Sequence, residues 1–75
     1  MNILIADMVV HIDESLPRDL LDGLETAVRL NSCVVSASIH DKTPHLMLVA
    51  FNPDCITSLE ILDRVSEQGL HAKRA

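Results

Sequence analysis

The segment His45-Leu46-Met47-Leu48-Val49-Ala50-Phe51 carries six consecutive apolar residues and ends at the turn-forming Asn52-Pro53-Asp54. A helix crossing a bilayer needs about 20 such residues, so this run is far too short to span one. A short apolar run closed by turn residues reads instead as a strand with apolar material against both faces. In a chain of 75 residues that strand has to be central, and the remaining sequence must supply its neighbours and its cover.

The neighbours are visible as changes of period. Met8, Val10 and Ile12 alternate with Val9, His11 and Asp13, the pattern of a half-buried strand. Pro17 then allows a helix to begin, with Ser15 or its neighbour as cap, and Leu20, Leu21, Leu24, Ala27 and Val28 form one helical face up to about Leu30. Gly23 inside that helix suggests close packing against a neighbour, and Asn31 suggests a left-handed stop. Cys33 to His40 alternates again, with Val35, Ala37 and Ile39 on the inner side, and Asp41-Lys42-Thr43-Pro44 turns it into the central strand.

The second helix is the best marked element. Thr57 and Glu60 form a capping box, Ile56 can staple onto Ile61, and Glu60 and Arg64 stand four apart as an ion pair. Gly69 supplies its stop before a short last strand, Leu70 to Lys73. The order β-α-β-β-α-β, with one hairpin in the middle, predicts a single α+β domain over residues 1–75 with both helices on one face of an antiparallel sheet.

Composition bounds the function. The net charge is −5, with Asp7, Asp13, Asp19, Asp22, Glu25, Asp54, Asp63 and Glu67 spread along the chain, which argues against nucleic acid as a partner. Met1 to Ala6 has no positive flank and is broken at Asp7, so neither a leader nor a membrane anchor is expected and the chain is placed in the cytoplasm. Cys33 and Cys55 are then expected as reduced, buried small hydrophobes. No phosphate loop and no nucleophile-base grouping stands on a recognisable motif, so an enzyme is not expected.

Met8 to Lys73 resembles the heavy-metal-associated domain of copper chaperones and metal-transporting ATPases. The resemblance is carried by Val10-His11-Ile12, Cys33-Val34-Val35-Ser36-Ala37-Ser38-Ile39, Val49-Ala50-Phe51-Asn52-Pro53 and Ser66-Glu67-Gln68-Gly69-Leu70. It implies a ferredoxin-like sandwich with strand order 4-1-3-2. The family captures soft metal ions through Met-x-Cys-x-x-Cys at the end of the first strand, where this chain reads Ile12-Asp13-Glu14-Ser15-Leu16-Pro17. Glu14 and Pro17 occupy the thiolate positions, so capture of Cu(I) by that loop is not expected.

Two readings of the function follow. The first is a non-enzymatic interaction module without a cofactor, pairing with a second copy or with a protein partner through Val9, Leu46, Leu48 and Ala50 on the sheet face away from the helices. The alternative is a metal-handling protein that replaces the lost motif with Cys33, Cys55, His11 and His71, expected to gather with Asp13, Glu14 and Asp54 at one edge of the sheet and to hold zinc or a similar ion. His11 with His71, and His40 with His45, are further candidate pairs. A small-molecule-sensing domain of the ferredoxin-like type is a third possibility.

Overall fold

The computed structural model describes residues 4–75, and Met1 to Ile3 of the apolar opening stretch lie outside the described residues. The elements are β1 (Ala6–Ile12), α1 (Arg18–Arg29), β2 (Val34–Ile39), β3 (Leu46–Phe51), α2 (Ser58–Ser66) and β4 (Ala72–Arg74). The sheet is antiparallel with order β2-β3-β1-β4, which is 4-1-3-2 read from the other edge. The apolar run from Leu46 is therefore a central strand, as expected. No helix among the described residues is long and apolar enough to cross a membrane.

Period two along the strands divides the sheet into two faces. Met8, Val10, Ile12, Ala37, Ile39, Met47, Val49 and Phe51 meet Leu21, Leu24 and Val28 of α1 and Ile61 and Val65 of α2 in one core. Burying each of these side chains except the small Ala37 contributes about 1.5–3 kcal/mol, and the single aromatic ring, Phe51, lies at the β1 start and β2 start end of that core.

The expected inward Val35 is 58% exposed. The register steps from Val34↔Phe51 to Ser36↔Ala50, so two residues of β2 advance while β3 advances one. This bulge sets Val35 outside the ladder and turns Val34 inward against the core. Beyond it, Ala37 and Ile39 face inward as expected.

The helix ends behave differently from one another. At α1 the N-cap is Pro17, which offers no side-chain cap, and not Ser15. At α2 the Glu60 amide donates to Thr57 Oγ1 (3.2 Å), and Ile56 and Ile61 are both buried beneath that turn. The Glu60 carboxylate accepts from the Thr57 hydroxyl (3.1 Å) and not from Arg64. Gly69 ends the segment at φ +83°, as expected of its stop. Asn31 is not left-handed, because among the described residues only Gly69 has positive φ. Gly23 meets no neighbour, since a Cβ there would find nothing within 4 Å.

Candidate functional site

Antiparallel pairing decides which chemistry can meet. The end of each strand lies beside the start of its neighbour, so the end of β1 adjoins the starts of β3 and β4, whereas the end of β3 adjoins the start of β2. The expectation that Cys33, Cys55, His11 and His71 gather at one edge is corrected by this rule. Cys33 and Cys55 occupy one end of the sheet, and His11 and His71 the other. Five residue steps along β3 separate the ends, about 17 Å at the rise of an extended strand.

At the first end, two asparagines shape the turns that carry the thiols. The Asn31 Oδ1 accepts from the Cys33 amide (2.8 Å), and the Asn31 carbonyl accepts from Val34 (3.0 Å). Across the ladder, the Asn52 amide donates to the Cys33 carbonyl (2.9 Å), while the Asn52 carbonyl accepts from Cys55 (3.0 Å). Asn52 Oδ1 also accepts from Asp54 (3.0 Å). The two cysteines are thereby held with Cα atoms 5.5 Å apart, and their sulfurs form a disulfide. They are not the reduced, buried thiols expected from the sequence: they are joined, Cys33 is half-buried and Cys55 is exposed.

At the opposite end, the segment that replaces the metal loop is held by hydrogen bonds of its own. Glu14 Oε1 accepts from the His71 amide (2.9 Å) and Oε2 from His71 Nδ1 (2.7 Å). The Asp13 amide donates to the His71 carbonyl (3.0 Å). The His71 side-chain hydrogen bond, followed by its backbone hydrogen bond, holds the Glu14 carboxyl below its ordinary value. The same side-chain hydrogen bond, followed by the Glu14 charge, raises His71.

The histidine pairs differ from those expected. His11 stands beside Lys73 on β4, not beside His71. Its ring stacks on His45, with centroids 6.1 Å apart and planes 16° from parallel. His45 Nδ1 donates to the Ile12 carbonyl (2.8 Å), so its bond runs to β1 and not across the hairpin to His40. His11 Nδ1 lies 3.1 Å from Asp13 Oδ1, but off the hydrogen-bonding axis, so that nitrogen has no hydrogen-bond partner.

A third polar cluster escaped the sequence reading. Glu25, counted there among the spread acidic residues, is 9% exposed. Its Oε2 accepts from the Ile39 amide (2.6 Å) and its Oε1 from Arg18 Nη2 (2.9 Å). Arg18 also donates to the Ile39 carbonyl, to Asp22 and to Asp41. This node fastens α1 to the end of β2. The signal was present: Leu21, Glu25 and Val28 share one helical stripe, so Glu25 sits where an apolar residue would otherwise pack.

The chemistry of the two ends is distinct. Among the described residues no group of three or more His, Cys, Asp or Glu side chains is arranged to hold a metal ion, so neither end assembles the four ligands of a closed zinc site. The Asp13-Glu14 end offers hard oxygen donors, of which the Glu14 carboxylate is already engaged by His71 and the Asp13 carboxylate lies beside His11. The Cys33-Cys55 end offers two sulfurs in mutual reach.

No family model matches the sequence, and no curated protein does. Solved structures do. A copper binding domain from HMA7, a P-type ATPase, is 17% identical, with a TM-score of 0.83 over 92% of this chain and 92% of that one. The yeast copper transporter domain CCC2A, solved in apo and Cu(I) loaded states, is 13% identical, with a TM-score of 0.79 over 92% and 93%. This chain has the fold of a heavy-metal-associated domain.

Proposed function

We propose that the protein is a non-enzymatic handler of a soft metal ion, Cu(I), which it takes as cargo on the thiolates of Cys33 and Cys55 once their disulfide is reduced. The observation that carries this reading is the meeting of the two sulfurs on facing turns. The domains of similar fold named above bind copper at identities too low to bring the function over by themselves, so the argument rests on ligand chemistry. Thiolates are soft donors and select Cu(I), whereas the carboxylates of Asp13 and Glu14 suit hard ions. Two protein ligands are too few for a closed tetrahedral zinc site.

Reduction comes first. Two small-molecule thiols, or one dithiol, deliver two electrons and two protons to the Cys33-Cys55 bond and leave as a disulfide, and the ion then displaces the thiol protons. Cys55 is exposed, so an attacking thiolate has access to its sulfur.

The test is an anaerobic Cu(I) titration of reduced protein against a chromogenic Cu(I) chelator. One equivalent is expected to be retained by the wild type and by Glu14→Ala, and lost in Cys33→Ser, Cys55→Ser double-substituted protein. Copper retained by the double variant, or lost on Glu14→Ala, would place the ion elsewhere and overturn the proposal.

A second reading, an interaction module, is favoured by a separate observation. The sheet face away from the helices keeps Leu48 47% exposed beside half-exposed Val9, Leu46 and Ala50.

A further inference from the structure

We propose that Arg18 and Glu25 close the free edge of the sheet at β2, and that without them β2 pairs with the β2 of a second copy of this chain. β2 is the terminal strand of the sheet, so one side of its backbone has no strand beside it. Edge strands ordinarily carry a charge or a proline that turns an added strand away. Val34-Val35-Ser36-Ala37-Ser38-Ile39 carries neither. It is an uncharged run rich in β-branched residues, the composition that readily adds to another strand. Its protection has to come from other parts of the chain.

Hydrogen bonds at Ile39 supply it. Ile39 and Met47 are register partners, yet the Ile39 amide donates to Glu25 Oε2 (2.6 Å) and the Ile39 carbonyl accepts from Arg18 Nη1 (2.8 Å). Both backbone groups therefore point away from β3, toward the place an added strand would take. A carboxylate accepting there and a guanidinium donating there imitate the acceptor and donor of a neighbouring strand. Asp22 and Asp41 hold Arg18 in position at 2.8 and 3.1 Å, and Arg18 Nη2 holds Glu25 at 2.9 Å. At the start of β2 the Asn31 carbonyl takes the Val34 amide (3.0 Å), and the bulge at Val35 breaks the repeat of outward groups. Alternation leaves Ala37, between these two ends, with its amide and carbonyl turned outward. One residue is too short a ladder for a stable strand pair. Releasing Ile39 doubles that ladder. A two-fold axis through Ser38 then pairs Ala37 of each copy with Ile39 of the other, and no charged side chain in either strand opposes it.

The test uses metal-free full chain with its disulfide intact, so it does not depend on copper binding. In sedimentation velocity from micromolar to millimolar concentration, Glu25→Ala is expected to dimerise about tenfold more tightly than the wild type, from the hydrogen bonds that Ile39 then adds. Arg18→Ala, which frees only the Ile39 carbonyl and removes nothing from the core, is expected to move the same way by about threefold. Hydrogen exchange followed by NMR reads the contact itself. In Glu25→Ala the Ala37 and Ile39 amides are expected to exchange fast when dilute and slowly when concentrated, whereas the wild-type Ile39 amide is protected at every concentration. Adding Ser38→Lys to Glu25→Ala sets like charges face to face at the axis and is expected to return the protein to monomer. Val65→Ala, a truncation of a fully buried side chain on α2, controls for lost stability. Variants that both stay as monomeric as the wild type overturn the proposal. So does a Glu25→Ala protein that associates no more than Val65→Ala at matched stability, or whose Ala37 and Ile39 amides gain no protection on associating.

Discussion

Reducing the Cys33-Cys55 disulfide removes a cross-link between positions 22 residues apart in sequence. In the chain-entropy treatment a closed loop of that length restricts the unfolded chain by about 3 kcal/mol at room temperature. A domain of 75 residues unfolds with an entropy of about 160 cal/mol/K, so losing that restriction lowers the melting temperature by about 20 °C. The folded side of the balance changes little. Val34 packs on the core next to Cys33, and the Asn31 and Asn52 hydrogen bonds of the two turns do not involve the sulfurs. Thermal unfolding followed by circular dichroism, with and without a reductant, measures the shift. Protein carrying serine at both cysteines should melt near the reduced wild type and ignore the reductant. A shift of only a few degrees would refute the reasoning, because the cross-link would then not be restricting the unfolded chain. The outcome bears on function, since the metal-competent form is the reduced one and has to remain folded.

Glu25→Ala leaves the Ile39 amide and Arg18 without their buried acceptor, and chemical denaturation should record a loss of about 2–3 kcal/mol. Val34→Asp should be strongly destabilising while Val35→Asp changes stability by less than about 0.5 kcal/mol, because the bulge turns the first inward and the second out; equal costs would remove the bulge from the account. The Glu14-His71 clasp has a defined pH window. His71 is raised from 6.5, so its contribution is complete below 6.5 and lost as pH rises through the raised folded value. Glu14 is lowered from 4.5, so its contribution is complete above 4.5 and lost as pH falls through the lowered folded value. A proton NMR titration of His71 should therefore give a midpoint above 6.5 that falls in Glu14→Gln, and an unchanged midpoint would deny the clasp.

The fold was legible because local signals agreed. Alternation marked β1, the apolar run marked β3 as central, and the Thr57 cap and Gly69 bounded the second helical segment. What escaped depended on partners. The bulge at Val35 follows from the pairing of β2 with β3, which no period within β2 reveals. The disulfide was missed because the cytoplasmic placement implied reduced thiols, and the mixed Cys-His cluster rested on an error of topology. In an antiparallel pair the residue before β2 lies beside the residues after β3, so Cys33 and Cys55 belong together and His71 belongs with Glu14. Applied to the sequence, that rule would have separated the two ends. Glu25 was hidden because a carboxylate on an apolar stripe looks like a surface charge until Arg18 and the Ile39 amide are seen to meet it.

X-ray absorption at the copper edge of reduced, Cu(I)-loaded protein tests the central claim most directly. The account predicts a first shell of sulfur alone, two scatterers supplied by Cys33 and Cys55, and no imidazole pattern. A shell of nitrogen and oxygen, signalling His11, His45, His71 or the Asp13-Glu14 segment at the opposite end of the sheet, would contradict it.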